Sequence, residues 1–337
     1  VMPVYNPPTD LLSQAIESVR VQAYPHWELC IADDCSTDPN IRKLLDECRA
    51  KDERIKVVYR SQNGHISRAS NSALEIATGD WVALLDHDDL LRPHSLYCVV
   101  EAILENPDAK ILYSDEDKID ETGAPFDPYF KCDWNQLLFY GHNMFTHLGV
   151  YRRSLVSEIG GFRPGFEGAQ DYDLALRCIE RINRSNIVHI PRVLYHWRAI
   201  AGSTARGPEE KSYAIRAAIR ALNEHFERSG VNAHVEEIPQ KGMTRVRFDL
   251  PSPVPSVSII IPTRNRKDLL ETCVESIRAL TNYPRYEIVV VDNESDETET
   301  LRYLDKLAEQ SNIRVLRFEG EFNFSAINNF AIRHVTS

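Results

Sequence analysis

One pattern constrains this chain more than any other: part of it is written twice. Pro3 and Pro262, Asn6 and Asn265, and Asp33 and Asp292 all stand 259 residues apart. Their contexts match as well. Met2-Pro3-Val4-Tyr5-Asn6 answers Ile261-Pro262-Thr263-Arg264-Asn265, and Ile31-Ala32-Asp33-Asp34-Cys35-Ser36 answers Val290-Val291-Asp292-Asn293-Glu294-Ser295. Between them, Glu17-Ser18-Val19-Arg20 answers Glu275-Ser276-Ile277-Arg278 at an offset of 258, a slip of one residue. Self-similarity at a fixed offset marks copies of one structural module. The length of 337 residues also suits about two domains of ordinary size.

Within the first copy, strand and helix patterns alternate. Leu11, Leu12, Ala15, Ile16 and Val19 follow helical spacing behind Thr9 as a cap. Trp27 to Ala32 reads as a buried strand, Ile55 to Tyr59 as a strand, Ser67 to Ala77 as a helix, and Trp81 to Leu85 as a strand. Ser95 to Leu104 then reads as a helix and Ala109 to Tyr113 as a strand. This order predicts an α/β fold with a mostly parallel sheet and helices on both faces. In such sheets ligands sit beyond the carboxyl ends of the strands. A helix from about Glu209 to Arg228 is expected to close a first domain of residues 1–230. A linker is expected over 231–255, where Pro239 and the turn-rich Pro251-Ser252-Pro253-Val254-Pro255 lie. Residues 256–337 then read as the first half of a second copy, which stops before any equivalent of Gly79-Asp80 and the acidic residues that follow.

Composition excludes several classes. With 43% hydrophobic residues and a mean hydropathy of −0.36, the chain has the balance of an ordinary globular protein. Its 39 basic and 50 acidic residues leave a net charge of −11, a field that repels polyanions and argues against a nucleic-acid partner. The longest apolar stretches, such as Val257 to Ile261, fall far short of the roughly 18 residues of a membrane-spanning helix. The opening residues read as strand, with no secretory signal. The seven cysteines form no C-x-x-C pair, so reduced thiols and a cytoplasmic location are expected.

The residues that carry chemistry stand just after strands. Trp81 to Leu85 leads into Asp86-His87-Asp88-Asp89. Carboxylates this close repel one another unless something positive sits among them. A hard divalent cation such as Mg2+ or Mn2+ takes oxygen ligands and commonly bridges carboxylates to substrate phosphates. The alternative is a solvated acidic loop ahead of the helix that begins near Pro93.

Taken together, these motifs resemble those of the family 2 glycosyltransferases, inverting enzymes of the GT-A (Rossmann-like) fold that use nucleotide-sugar donors. Pro3-Val4-Tyr5-Asn6 resembles the family's first nucleotide-binding strand, Ala32-Asp33-Asp34-Cys35-Ser36 its base-recognition motif, and Asp86-His87-Asp88 its D-x-D metal motif. Gly160-Gly161-Phe162 precedes Gln170-Asp171-Tyr172-Asp173-Leu174, where the family often carries Glu-Asp. Gln170 replaces that Glu and leaves Asp171 as the match to the catalytic base. The resemblance covers about residues 1 to 205 and again about 255 to 337.

The resemblance implies roles for these residues. Pro3, Tyr5, Asp33, Asp34, Arg68 and Asp86 would meet the nucleotide. Asp88 and His196, the latter in Leu194-Tyr195-His196-Trp197-Arg198 ahead of Gly202-Ser203-Thr204, would hold Mn2+ or Mg2+. Asp115, in the acidic run Ser114-Asp115-Glu116-Asp117 after a strand, together with Trp134 and Gln170, would meet donor or acceptor sugar. The chemistry suits such groups. A metal offsets charge on a departing diphosphate, and a carboxylate accepts the proton of the attacking hydroxyl. The implied activity is metal-dependent, inverting sugar transfer from a UDP- or dTDP-sugar to a glycan or lipid-linked glycan in cell-surface polysaccharide synthesis. The implied location is cytoplasmic, including peripheral attachment at the inner face of the cell membrane. A noncatalytic carbohydrate-binding scaffold of the same fold is the alternative. No G-x-G-x-x-G, P-loop or H-E-x-x-H motif supports a redox, kinase or zinc-protease reading.

Overall fold

The computed structural model describes residues 1–199, 212–238 and 243–335. Contacts divide the chain into one unit of Val1–Phe248 and a second of Asp249–Ser337. The first unit opens with β1 (Met2–Val4), α1 (Thr9–Arg20), β2 (Leu29–Asp33), α2 (Pro39–Lys51), β3 (Ile55–Tyr59) and α3 (His65–Glu75). It continues through β4 (Trp81–Ala83), β5 (Leu90–Leu91), α4 (Ser95–Glu105), β6 (Ile111–Ile119), β7 (Pro125–Tyr129) and α5 (Gln136–Gly141). Then come β8 (Gly149–Arg152), α6 (Arg153–Glu158), α7 (Gln170–Ile179), β9 (Ile187–Arg198), α8 (Ser212–Ser229) and the strands β10 (Ala233–Ile238) and β11 (Met243–Phe248).

The expected alternation is present, and its first part is parallel: β1, β2 and β3 pair in that order. The N-terminal ammonium donates to the Ala83 carbonyl, and the Leu85 N–H to the Val1 carbonyl at 3.1 Å, which joins β1 to β4 and its extension. Beyond β4 the pairing becomes mixed. The order is β4-β8-β6-β9-β5, with β7 on β6, and only β6 and β9 run parallel. Leu12, Ile16, Ile31, Leu45 and Ile55 are fully buried where α1 and α2 cover the parallel strands. Helix starts follow local chemistry. The Asp38 carboxylate accepts from the Asn40 N–H, with Pro39 in the first turn of α2. Thr9 is the first residue of α1 rather than its cap, because Pro8 occupies the capping position.

The linker expected over 231–255 is largely structure of the first unit. Ala233, Val235 and Val246 of the antiparallel β10–β11 pair pack against its larger core cluster, and Thr244 donates to the Tyr140 carbonyl. The start of the closing helix near Glu209, the Gly202-Ser203-Thr204 stretch and Pro239 lie outside the described residues. The second unit comprises β12 (Val257–Thr263), α9 (Lys267–Leu280), β13 (Tyr286–Asp292), α10 (Thr298–Ala308), β14 (Ile313–Arg317) and α11 (Phe324–Ile332), with β12, β13 and β14 parallel in that order. Among the described residues no helix is long and apolar enough to cross a membrane.

Candidate active site

The carboxyl ends of β1 to β4 carry the charged residues. Asp34 follows β2 and is 2% exposed. Its carboxylate accepts from Arg60 Nε at 2.6 Å and from the Gly64 N–H at 3.0 Å. Asp33 closes the turn by accepting the Ser36 N–H at 3.2 Å. Arg60 and the exposed Arg68 flank Gly64 so closely that a Cβ there would stand 2.6 Å from one guanidinium and 2.8 Å from the other side chain. Glycine at 64 therefore leaves room for both arginine side chains at the start of α3, where the Gly64 amide itself is taken by Asp34. Tyr5, just after β1, is 47% exposed, and the Pro3 carbonyl lies 3.2 Å from His87 Nδ1.

The acidic turn after β4 is held by β9. The Tyr195 hydroxyl donates to Asp89 Oδ2 at 2.6 Å, the Arg198 N–H donates to Asp89 Oδ1 at 2.7 Å, and Arg198 Nε donates to the Asp88 carbonyl at 2.7 Å. Asp89 is 1% exposed, whereas Asp86 keeps about half of its side chain open. Burial, with Asp86 and Asp88 adding their charges, raises the Asp89 carboxyl well above the usual range, to about 8. Burial also raises Asp88, against the pull of His87.

A histidine that carries no sequence signature joins this turn. The His147 ring stacks on Tyr195 at 4.5 Å, with Nε2 4.0 Å from Asp86 Oδ2 and Nδ1 3.2 Å from Glu116 Oε2. Burial opposes its protonation, but the hydrogen bond and charge of Glu116, with Asp89 and Asp86, prevail and raise it to about 9. Behind this pair sits Lys131, whose ammonium is fully buried and donates to the Thr146 and His147 carbonyls and to Glu116 at 3.4 Å. Burial lowers Lys131 to about 8 against the Glu116 charge. Asp86, Asp89 and His147 each offer a ligand atom within 4.8 Å of the others. Two carboxylates and an imidazole suit Mn2+ or Mg2+.

Asp171 stands in the first turn of α7, where the helix dipole favours a negative charge. Asn143 Nδ2 donates to it at 2.8 Å. Burial is the largest influence and raises its carboxyl, with His147 pulling it down and Asp86 adding to the rise. Asp171 therefore shares one electrostatic field with the acidic turn after β4.

Four expected site residues lie elsewhere or are occupied. His196 neighbours Tyr195 on β9 and so points to the opposite face of the sheet, where its Nδ1 pairs with Asp117; His147 stands with the acidic turn instead. Asp115 does not follow a strand but lies inside β6, 3% exposed, accepting from the Lys131 N–H and from His189 Nε2, both at 2.9 Å. Trp134 is a core residue against Phe139 and Phe145, with no face for a sugar. Gln170 accepts from the Gly168 N–H at 2.8 Å, which fastens the loop ahead of Asp171.

Comparison with known proteins supplies the context. The sequence model described as Glycosyl transferase family 2 matches residues 1–160 and 258–337. The O-antigen biosynthesis protein RfbC of Myxococcus xanthus is 37% identical over the whole of this chain, which spans 26% of that protein. The uncharacterized protein y4gI of Sinorhizobium fredii is 51% identical over 98% of this chain, which spans 37% of its length. The chain therefore corresponds to little more than a third of these relatives at most. Among solved structures, residues 1–349 of S. aureus TarS in complex with UDP-GlcNAc give a TM-score of 0.53 at 20% identity, covering 67% of this chain and 71% of that one. That likeness establishes the fold.

Proposed function

The chain belongs to glycosyl transferase family 2, and from that premise we propose that its first unit is a metal-dependent inverting enzyme. It moves a sugar from a nucleotide-sugar donor to a glycan acceptor in cell-surface polysaccharide synthesis. The observation that carries this reading is the grouping of Asp86, Asp89 and His147 after β4, with Asp171 at the start of α7 held by Asn143. A base and a leaving-group site must lie on either side of one reacting carbon. The part in polysaccharide synthesis is supported by the similarity to RfbC, an O-antigen biosynthesis protein, and a UDP-sugar donor by the TarS complex with UDP-GlcNAc.

In this reading Tyr5, Arg60, Arg68 and Asp86 face the nucleotide, and Asp34 holds Arg60 in position to do so. Asp86, Asp89 and His147, with Asp88 beside them, would hold Mn2+ or Mg2+. A bound divalent ion supplies Lewis-acid stabilisation of the departing diphosphate. Asp171 accepts the proton of the attacking acceptor hydroxyl, and its raised carboxyl makes it the stronger base. Attack opposite the leaving group inverts the anomeric carbon. As a ligand His147 would be the neutral imidazole, offering Nε2 while Glu116 accepts from its Nδ1–H and Lys131 holds its backbone carbonyl.

The test is nucleoside diphosphate release from a panel of UDP-, dTDP- and GDP-sugars with Mn2+. Asp171→Asn is expected to lower transfer by about 10² to 10⁴, and Asp86→Ala to remove it. Release that survives both substitutions would reject this site.

A further inference from the structure

We propose that Trp197, Lys118 and Phe126 form the acceptor subsite, a shelf on which a pyranose ring of the glycan stacks; this rests on the donor-site reading above. Strand register carries the inference. On β9, β6 and β7, Tyr195 pairs with Glu116 and Glu116 with Tyr129; one step further, Trp197 pairs with Lys118 and Lys118 with Phe126. Residues two apart on a strand share a face. Trp197 and Lys118 therefore lie on the face that holds Tyr195 and Glu116, and Phe126 stands beside Lys118.

This row begins at the catalytic cluster and runs outward. The His147 ring lies 5.6 Å from that of Trp197, and Lys118 Nζ is 5.8 Å from the same indole. Phe126 closes the row and is 44% exposed on a strand whose residues 125–128 all face water. Neighbouring strands lie about 4.8 Å apart, so the row spans about 10 Å, a length that takes a disaccharide.

Its chemistry selects the ligand. The donor site as read above offers a diphosphate the exposed Arg68 cation and, through Asp86 and His147, a place for a divalent ion. On the shelf, the Lys118 ammonium is paired with the Asp127 carboxylate, which leaves the exposed Phe126 ring and the half-buried Trp197 indole on either side of a neutral, polar centre. A sugar ring presents apolar C–H faces to aromatic rings and hydroxyls to such a pair. Among the described residues a nucleotide would find no unpaired cation on this row for its phosphates. The row thus complements an uncharged pyranoside, and its inner end opens on His147.

The experiment is saturation-transfer NMR on the full chain with UDP and Mn2+ present. The probes are methyl α- and β-pyranosides of glucose, galactose, mannose, rhamnose and N-acetylglucosamine. At least one is expected to take saturation on its ring C–H protons. Phe126→Ala is expected to weaken that binding by about three- to tenfold, and Phe126→Tyr to preserve it. UDP titration is expected to be the same in all three proteins. Absence of transfer to every pyranoside, or transfer that Phe126→Ala leaves unchanged, would overturn the subsite. Pyranoside binding that Phe126→Ala weakens in a chain that fails to bind UDP would uphold the shelf and reject the donor site instead.

Discussion

The two nucleotide-type halves of this chain share a backbone and differ in charge. In the first, Asn6 and Cys35 take φ of 46° and 65°; in the second, their counterparts Asn265 and Glu294 take 56° and 54°. The Asn6 N–H donates to Ser36 Oγ at 3.0 Å and the Asn265 N–H to Ser295 Oγ at 2.7 Å. Both asparagine side chains accept from the turn after the second strand of their unit. Asp33 and Asp292 each accept the N–H three residues on. Even the small core between sheet and helix repeats, with Cys30, Ala32, Ala69 and Ala73 answered by Val289, Val291, Ile327 and Ala331. Yet Arg60 is answered by Phe318 and Arg68 by Ala326, while Asp34 becomes Asn293. Asn293 donates to the Phe318 and Gly320 carbonyls, and its buried Oδ1 has no hydrogen-bond partner among the described residues. The loop thus folds without equivalents of Arg60, Arg68 or the Asp34 carboxylate, with Arg317 3.9 Å from Asp292 instead. In the first unit Asp34 and Arg60 hold one another and the loop, and Arg68 adds an exposed charge beside them, which is the reason to propose an anionic ligand there.

The comparison can be broken most forcefully at Asp34. Asp34→Ala strands the mostly buried Arg60 guanidinium and is expected to cost the first unit about 3–5 kcal/mol. Asn293→Ala removes two neutral hydrogen bonds and is expected to cost the second about 1–2 kcal/mol. Hydrogen exchange followed by mass spectrometry reads both units in one chain; equal losses would show that the charge difference has no structural meaning.

Acid separates the units next. Burial would raise Glu180, but hydrogen bonds from His225 and Arg228 outweigh it and hold the carboxyl at about 2. A depressed acid contributes stability that is present above its ordinary value near 4.5 and is lost as the pH falls toward 2, here about 3 kcal/mol. The lowered carboxylate of the second unit, Asp268, is fully exposed. The first unit is therefore expected to lose protection first in a pH series from 6 to 2.

Two smaller effects sharpen the contrast. Asn293→Asp turns a carboxylate toward two carbonyls and is expected to cost about 1–3 kcal/mol, part of which Phe318→Arg restores. Ser36→Ala and Ser295→Ala each remove one hydrogen bond to the shared turn and are expected to cost about 1 kcal/mol apiece. Exchange in each unit measures both, and unequal serine losses would contradict a common loop.

Much of the fold is legible in the sequence because its signals are local. Ile55 to Tyr59 is β3 as its apolar pattern predicts, and the repeat locates the second unit. The β10–β11 pair is obscured by Pro239 and by charges along strands that are largely exposed. The acidic run after Tyr113 fails as a loop for a non-local reason. Asp115, Glu116 and Asp117 remain in β6 because Lys131, His147, His189, His196 and Arg92 reach them from distant segments. In sequence, three acids in a row read as solvated. Of the proposed site, the acidic turn and Asp171 are suggested by motif position. His147 is a lone histidine between Thr146 and Leu148, and only the packing of β6, β9 and the acidic turn brings it into the cluster.

The most direct test of the account is the stoichiometry of UDP binding by calorimetry in Mn2+. One UDP per chain is expected, lost in Asp86→Ala and unaffected by Asn293→Ala. Two per chain, or a single site that survives Asp86→Ala and disappears in Asn293→Ala, would contradict the assignment of the donor to the first unit.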